Sequence, residues 1–363
     1  MPAAPPSPVV AEVLRDRVHG RPTTNTIFPA VRGATFVGTR PIGTLVVDAE
    51  EDFDWFKPVY GTEHSVKHML QVATFQDLAK AYGAVPTYLL TYPVLQVDEV
   101  VALLRRVMDR GECDVGIQLH PWVTPPFEPS VEGHAADVGG SFAGNLPPEL
   151  ERRKLFELCR KFKECFGFSP KMYRAGRYGL GQQTAALLEE LAFTVDCSLA
   201  PRTDFSAQAG PDYTDYKFEP FWFGERQSVL EVPLCREIVG WSGALAPMIY
   251  KAATRDVMRK VRADGLLSWV RCAERVTLSP EGNNSRALRR LASHLYAAQS
   301  GIFVVSFHSS SLMVGANPYV SSRADVHEFY DRLSSLFSYM VDGLGVKFEK
   351  LADVPQFFLD GHA

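Results

Sequence analysis

From residue 43 onward, short apolar runs alternate with stretches of helical spacing. The runs GTLVVD (43–48), VPTYLLTYP (85–93), CDVGIQLH (113–120) and KMYRAG (171–176) are rich in β-branched or aromatic residues and read as strands. So do TVDCSL (194–199), SVLEVPL (228–234), GIFVVSFH (301–308) and the short VKFEKL (346–351). Between them, apolar residues recur at helical spacing over 64–83, 97–111, 146–167, 181–193, 285–299 and 324–343. Gly83, Gly111 and Gly167 stand where helix C-caps belong.

Strands alternating with helices predict βαβ units and a parallel sheet. Seven or eight such units suffice to close an α/β barrel, and one barrel over 41–357 accounts for most of the chain. Residues 1–40, rich in Pro, Ala and Thr, are expected to form a tail or an irregular wrap. Two stretches break the rhythm and read as insertions. Residues 121–146 are rich in Pro and Gly without periodicity, and 236–284 carry a helical patch and the turn-rich SPEGNN. Irregular segments of that length are usually functional or disordered.

Composition narrows the function. The 363 residues are 46% hydrophobic and carry a net charge of −4, which leaves no basic footprint for nucleic acid. The six cysteines are scattered, with no C-x-x-C pair and no zinc spacing, so reduced core cysteines are expected. The N-terminus has no basic segment leading into an apolar run, and no apolar stretch approaches the ~20 residues of a membrane span. A cytoplasmic protein without a membrane span is the expectation. The sequence is silent on oligomeric state.

Chemistry collects at the predicted strand ends, which in β/α barrels share one rim. The first strand ends at Asp48 within VVDAEEDFDW, where five acids fall in seven residues and Phe53, Trp55 and Phe56 follow. Asp48 and Glu50 are two apart and share a face of an extended chain. Such a pair can divide labour between proton acceptance and holding a cation; a solvated acidic loop is the bland alternative. Gln118 and His120 end the third strand, Arg174 the fourth and His308 the strand at 301–308, while Asp196 lies within the fifth. A neutral imidazole at His120 can bind a metal or simply be packed and satisfied. Arg174 needs a carboxylate if buried, and Asp48 is the natural partner. Arg177 reads as a surface charge.

The ordered set VDAEED, GIQLHP, RAGRYG, VDCS and FH resembles the successive motifs of the polysaccharide deacetylases, carbohydrate esterase family 4 with the NodB-homology domain. EEDFDW, QLHPWVTPPF and FHSSSLM further resemble a divergent WalW-like subgroup linked to bacterial cell-surface polysaccharide biosynthesis. The resemblance covers about residues 43–350 and implies a deformed (β/α)7 barrel. It implies Asp48 as general base, His308 as general acid, Arg174 as the group holding Asp48, and Asp196 as support for the catalytic histidine. It places an oxyanion donor at the backbone N–H near Tyr178. Gln118, Trp122, Trp222 and Trp241 become candidates for contact with a carbohydrate substrate, with core packing the alternative for the tryptophans.

The departures bear on the cofactor. Ala49 stands where the family has a second Asp, so Glu50 or Glu51 must substitute if a divalent metal such as zinc is held. Only His120 remains of two expected histidines, with Gln118 near the place of the other; His64 and His68 lie on a predicted helix face. A Glu–His pair plus water binds such a metal weakly or not at all. Removal of an acetyl group from a sugar in cell-surface polysaccharide or lipopolysaccharide biosynthesis is the leading expectation. A metal-independent cyclic-amide hydrolase and a catalytically silent barrel that binds a glycan or a partner are the alternatives. A phosphate-dependent sugar enzyme is disfavoured, because no Gly-rich loop follows the first strand.

Overall fold

The structure, a computed structural model, describes residues 27–52, 64–127, 138–253 and 272–360. In chain order it begins with β1 (Arg32–Phe36), β2 (Ile42–Ala49), α1 (Val72–Ala81), β3 (Pro86–Leu90), α2 (Asp98–Asp109) and β4 (Asp114–Leu119). There follow α3 (Pro148–Phe166), β5 (Met172–Ala175), α4 (Gln182–Glu190), β6 (Val195–Asp196), β7 (Phe221–Phe223) and β8 (Val229–Glu231). The hairpin strands β9 (Arg236–Val239) and β10 (Glu274–Thr277) flank α5 (Ala246–Ala253). The chain closes with α6 (Ser285–Ala297), β11 (Ile302–His308), α7 (Arg323–Ser338), β12 (Lys347–Phe348) and β13 (Phe358–Asp360).

Seven of the described strands run parallel in the order β11-β2-β3-β4-β5-β6-β8. Every residue of β2 from Ile42 to Ala49 is buried, as expected of a strand covered on both faces. Between β8 and β11 no ladder forms. One residue bridges the gap instead: Leu278 N–H donates to Cys235 O at 2.8 Å, and Ser306 N–H donates to Leu278 O at 3.2 Å. The result is a deformed α/β barrel.

The helices cover the outer face because the outward residues of the strands are large and apolar. Phe307 of β11 meets Phe75 of α1 and Phe329 of α7 edge-on, each at 5.1 Å between ring centroids. Helix ends match their sequence signals. Gly167 takes φ 84° at the end of α3, and Asn284 accepts from the amides of Arg286 and Ala287 at the start of α6. All six cysteines are free, and five are buried. No described helix is long and apolar enough to cross a membrane.

The structure departs from the sequence reading at the edges. Arg32–Phe36 lies in the stretch read as an irregular wrap, yet it forms β1, antiparallel to both β7 and β13. Its alternation of exposed and half-buried residues is the pattern of a strand near a sheet edge, and in five residues it is too short to stand out beside a Pro-rich leader. The stretch 236–284, read as an insertion with a helical patch, contains the β9–β10 hairpin as well as α5. Phe53, Trp55 and Phe56, and parts of both predicted insertions, lie outside the described residues.

Phe307→Ala should cost about 3–5 kcal/mol, the usual range for removing a buried aromatic ring. Urea denaturation of the two proteins checks this; a difference below about 1 kcal/mol would mean that the Phe75–Phe307–Phe329 stack is not a packed core.

Candidate active site

Strand register brings Asp48 and His308 side by side, since His308 on β11 is the direct partner of Asp48 on β2. Gln118 of β4 is likewise paired with Arg174 of β5. Parallel strands ending together thus deliver four polar side chains to one rim from four places in the chain.

Arg174 reaches inward from β5 and donates from Nη1 to Asp48 Oδ1 at 2.5 Å, and from Nε to Cys197 O at 2.9 Å. Its Nη1 also lies 3.3 Å from Ser306 Oγ, and the Tyr178 ring stands over the guanidinium at 5.6 Å. Both members of the ion pair are buried, with Asp48 only 2% exposed. Burial opposes the charge on Arg174, but Asp48, with Tyr178 and Cys197, together outweighs it and the guanidinium is raised above its ordinary value. Asp48 Oδ2 faces the other way, 3.8 Å from His308 Nε2.

Two imidazole–carboxylate pairs flank that centre. His308 Nδ1 is 2.8 Å from Glu281 Oε2, and the His308 amide donates to Glu281 Oε1 at 2.9 Å. His120 Nδ1 is 2.8 Å from Glu51 Oε1, which also accepts from Trp122 Nε1 at 2.9 Å. Glu50 stands between the two rings, 3.8 Å from His308 Nε2 and 3.4 Å from His120 Nε2. Burial alone would lower both imidazoles. Glu51 and Glu50 reverse this at His120, which rises to about 9. Glu281, Glu50 and Asp48 do so at His308, which rises to about 10. Burial would raise Glu51, but the His120 charge and the hydrogen bonds to its carboxylate together leave it lowered.

Local packing explains how His120 is held. Trp122 stacks on the ring at 4.2 Å. Gly176 leaves room for the ring, since a Cβ there would lie 2.3 Å from His120 Cδ2. The loop after His120 is fixed by Lys154 of α3, a buried ammonium that donates to the carbonyls of Pro121, Thr124 and Pro126 at 2.9, 2.5 and 2.8 Å.

Glu50, Glu51 and His120 do not fit a tightly held divalent ion. Gln118 Nε2 lies 2.9 Å from His120 Nε2 and 3.1 Å from Glu50 Oε2. An amide nitrogen donates and does not accept, so a neutral His120 spends its Nε2 lone pair on Gln118. A protonated His120 instead needs the amide turned, so that Gln118 Oε1, otherwise buried without a partner among the described residues, receives the Nε2 proton. In neither form does the ring offer a lone pair to a metal. Ala49 supplies no ligand, and among the described residues no three His, Cys, Asp or Glu side chains form a metal-holding group.

Several sequence-derived assignments move. Glu281, not Asp196, holds His308. Asp196 instead accepts from Ser198 Oγ and lies in register with Glu231 on the neighbouring strand. Burial raises Asp196 to about 6 despite hydrogen bonds from Glu231 and Ser198, and burial and Asp196 push Glu231 well above the carboxylate range. Gln118 is committed inside the charge cluster rather than turned to solvent. Trp122 is at the site, whereas Trp222 lies in β7 opposite Arg32 and Leu230, and Trp241 is 74% exposed beyond β9. No described contact joins either of those two to the cluster. Arg177 is half-buried over the Phe142 ring and donates to Ser141 and Gln208. Arg177 and Tyr178 both have left-handed backbones, with φ 55° and 59°, and Tyr178 O accepts from Tyr213 Oη at 2.9 Å. His68, placed on a helix face by the sequence reading, sits on a 3-10 turn with both ring nitrogens engaged by Asp52 and Ser309.

Glu281 had no sequence signal of the kind used for the others. It lies in the turn SPEGNN, not at the end of an apolar run. Its one mark was an acid between a Pro and a Gly of left-handed φ, directly ahead of the α6 N-cap.

No family model and no curated protein matches the chain. Solved structures similar to it include a probable polysaccharide deacetylase from Pseudomonas aeruginosa, at 13% identity over 87% of this chain and 90% of that one, with a TM-score of 0.49. A putative polysaccharide deacetylase from Mycobacterium smegmatis is similar at 14% identity over 89% and 94% of the two chains, with a TM-score of 0.45. A carbohydrate esterase family 4 pseudoenzyme from Bacillus anthracis is similar at 8% identity over 87% and 65%, with a TM-score of 0.40.

The histidine pairs set a pH dependence of stability. Both imidazoles are raised in the folded state from 6.5, to about 9 and about 10, so their contribution is fully present below 6.5 and is lost as pH rises through 9 to 10. Thermal midpoints measured from pH 6 to 10.5 should fall across that window, and His120→Gln should flatten the fall. An unchanged slope in the variant would contradict the pairing with Glu51.

Proposed function

We propose that the protein is a hydrolase that removes an acyl group from a sugar amide or ester, with Asp48 as base and His308 as acid and without a resident metal as the water activator. The observation that carries this reading is the division of Asp48's two oxygens. Arg174 holds Oδ1, which fixes the carboxylate, while Oδ2 faces His308 across 3.8 Å. Glu281 in turn holds His308 Nδ1, leaving Nε2 aimed at the same space. A base, an acid and a separate orienter for each is the arrangement that acid–base hydrolysis requires.

Asp48 Oδ2 takes a proton from a water whose oxygen attacks the acyl carbon. The developing oxyanion needs donors, and the backbone N–H near Tyr178 and the His120 side of the cluster are the candidates. As the C–N or C–O bond breaks, His308 Nε2 gives its proton to the leaving amine or alcohol. Passing Asp48's proton to His308 resets both groups. The contact with Arg174 holds the Asp48 carboxylate in one direction, with Oδ2 turned toward His308.

The gap between Asp48 and His308 admits no sugar. The acyl group must approach from above the pair, on the side where His308 retains 19% side-chain exposure. That closeness, with the metal ligands turned on one another, also supports the second reading: a catalytically silent barrel that binds a glycan or a partner. Carbohydrate as the substrate class rests on the motif resemblance.

Asp48→Asn should lower kcat for acetate release from acetylated oligosaccharides by about 10²–10⁴-fold, the usual share of acid–base catalysis. Wild-type turnover in that variant would remove Asp48 as base, and absence of turnover in the unmodified protein on every acetylated sugar would favour the silent barrel. Arg174→Ala should destabilise by about 3–5 kcal/mol, because it strands a buried carboxylate, whereas the half-exposed Arg177 should cost far less. Equal thermal shifts for the two alanine variants would argue against the buried pair.

A further inference from the structure

The geometry assigns His68 as a positioning residue that clamps together the two strand ends carrying Asp48 and His308; this rests on the reading of those two as base and acid. His68 is fully buried on the 3-10 turn Lys67–Gln71. Its Nδ1 lies 2.9 Å from Asp52 Oδ1 and its Nε2 2.9 Å from Ser309 Oγ. Ser309 Oγ in turn donates to the backbone carbonyl of Asp48 at 3.1 Å.

The position of that last bond gives the clamp its purpose. The β11–β2 ladder ends at the His308–Asp48 pair, so backbone pairing gives no support beyond it. Ser309 follows directly and extends the connection with its side chain. His68 buttresses Ser309 and also reaches Asp52, on the acidic segment that bears Glu50 and Glu51. A backbone bond from Asp52 N–H to Ser65 O, at 2.8 Å, ties the same segment to the approach to the His68 turn. One imidazole thus fixes the base strand, the acid strand and the acidic loop against each other.

Ser309, His68 and Asp52 have the connectivity of a nucleophilic triad, but the hydroxyl is not placed as a nucleophile. Its single hydrogen is directed to Asp48 O, away from His68, and Ser309 is fully buried. The network holds backbone rather than meeting substrate.

Two side-chain replacements separate the two arms. Asn sets its polar atoms near the place of Nδ1 and can keep Asp52 while losing Ser309. Gln sets them near the place of Nε2 and can keep Ser309 while losing Asp52. With acetate release as the assay, His68→Asn and Ser309→Ala should lower kcat about tenfold or more, with KM within about twofold, while His68→Gln stays within about threefold of the unmodified protein. In 15N-histidine NMR spectra, the His308 ring resonances should move in His68→Asn and Ser309→Ala and stay in place in His68→Gln. Unmodified kcat and His308 resonances in the first two variants would overturn the clamp, and so would labelling of Ser309 by a fluorophosphonate. If the unmodified protein releases no acetate, the hydrolase reading fails by itself, and the His308 resonances still decide the clamp.

Discussion

The buried ion pair between Arg174 and Asp48 is the interaction on which the rest of the site depends. Taking both charges out of water is costly, and a short contact repays the cost only if the remaining donors and acceptors are also used. Arg174 meets this with the Cys197 carbonyl, Ser306 and the face of Tyr178, though its Nη2 has no hydrogen-bond partner among the described residues. Asp48 meets it by turning its second oxygen to His308. Each further charge at the rim follows from that first placement: His308 needs Glu281, and Glu50 sits between His308 and His120, which needs Glu51.

The mouth is therefore an alternating arrangement of carboxylates and cations. Ala49 adds no carboxylate to it, and Gln118 brings an amide that satisfies the inner nitrogen of His120. Positive charge at the rim comes from imidazole and guanidinium held by carboxylates, which fixes directions that a mobile ion would otherwise set.

Much of this was legible in the residues. A strand buried on both faces admits apolar side chains, so a charge at its end stands out, and Asp48, His120, Arg174 and His308 all had that mark. Their convergence was legible too, because parallel strands of a barrel end on one rim. What escaped lacked such a mark. Glu281 stands in a turn, and its role depends on a fold-back that no spacing reveals. Glu231 sits at the end of VLE and reads as an ordinary strand residue, so its pairing with Asp196, which the motif resemblance had tied to the histidine, carried no signal. Trp222 and Trp241 were grouped with Trp122 because aromatic residues suit sugars, but only Trp122 is tied to a strand end that reaches the site. β1 was hidden by length: five residues of weak alternation carry little signal until β7 and β13 are seen beside them.

The central claim is that the charge cluster itself, with no resident ion, activates water for acyl hydrolysis. Acetate release from an acetylated oligosaccharide, assayed after exhaustive dialysis against a strong chelator with metal content followed by elemental analysis, tests it most directly. The account predicts turnover that survives at metal levels far below one ion per chain. Turnover that disappears with the metal and returns in proportion to added zinc would contradict it.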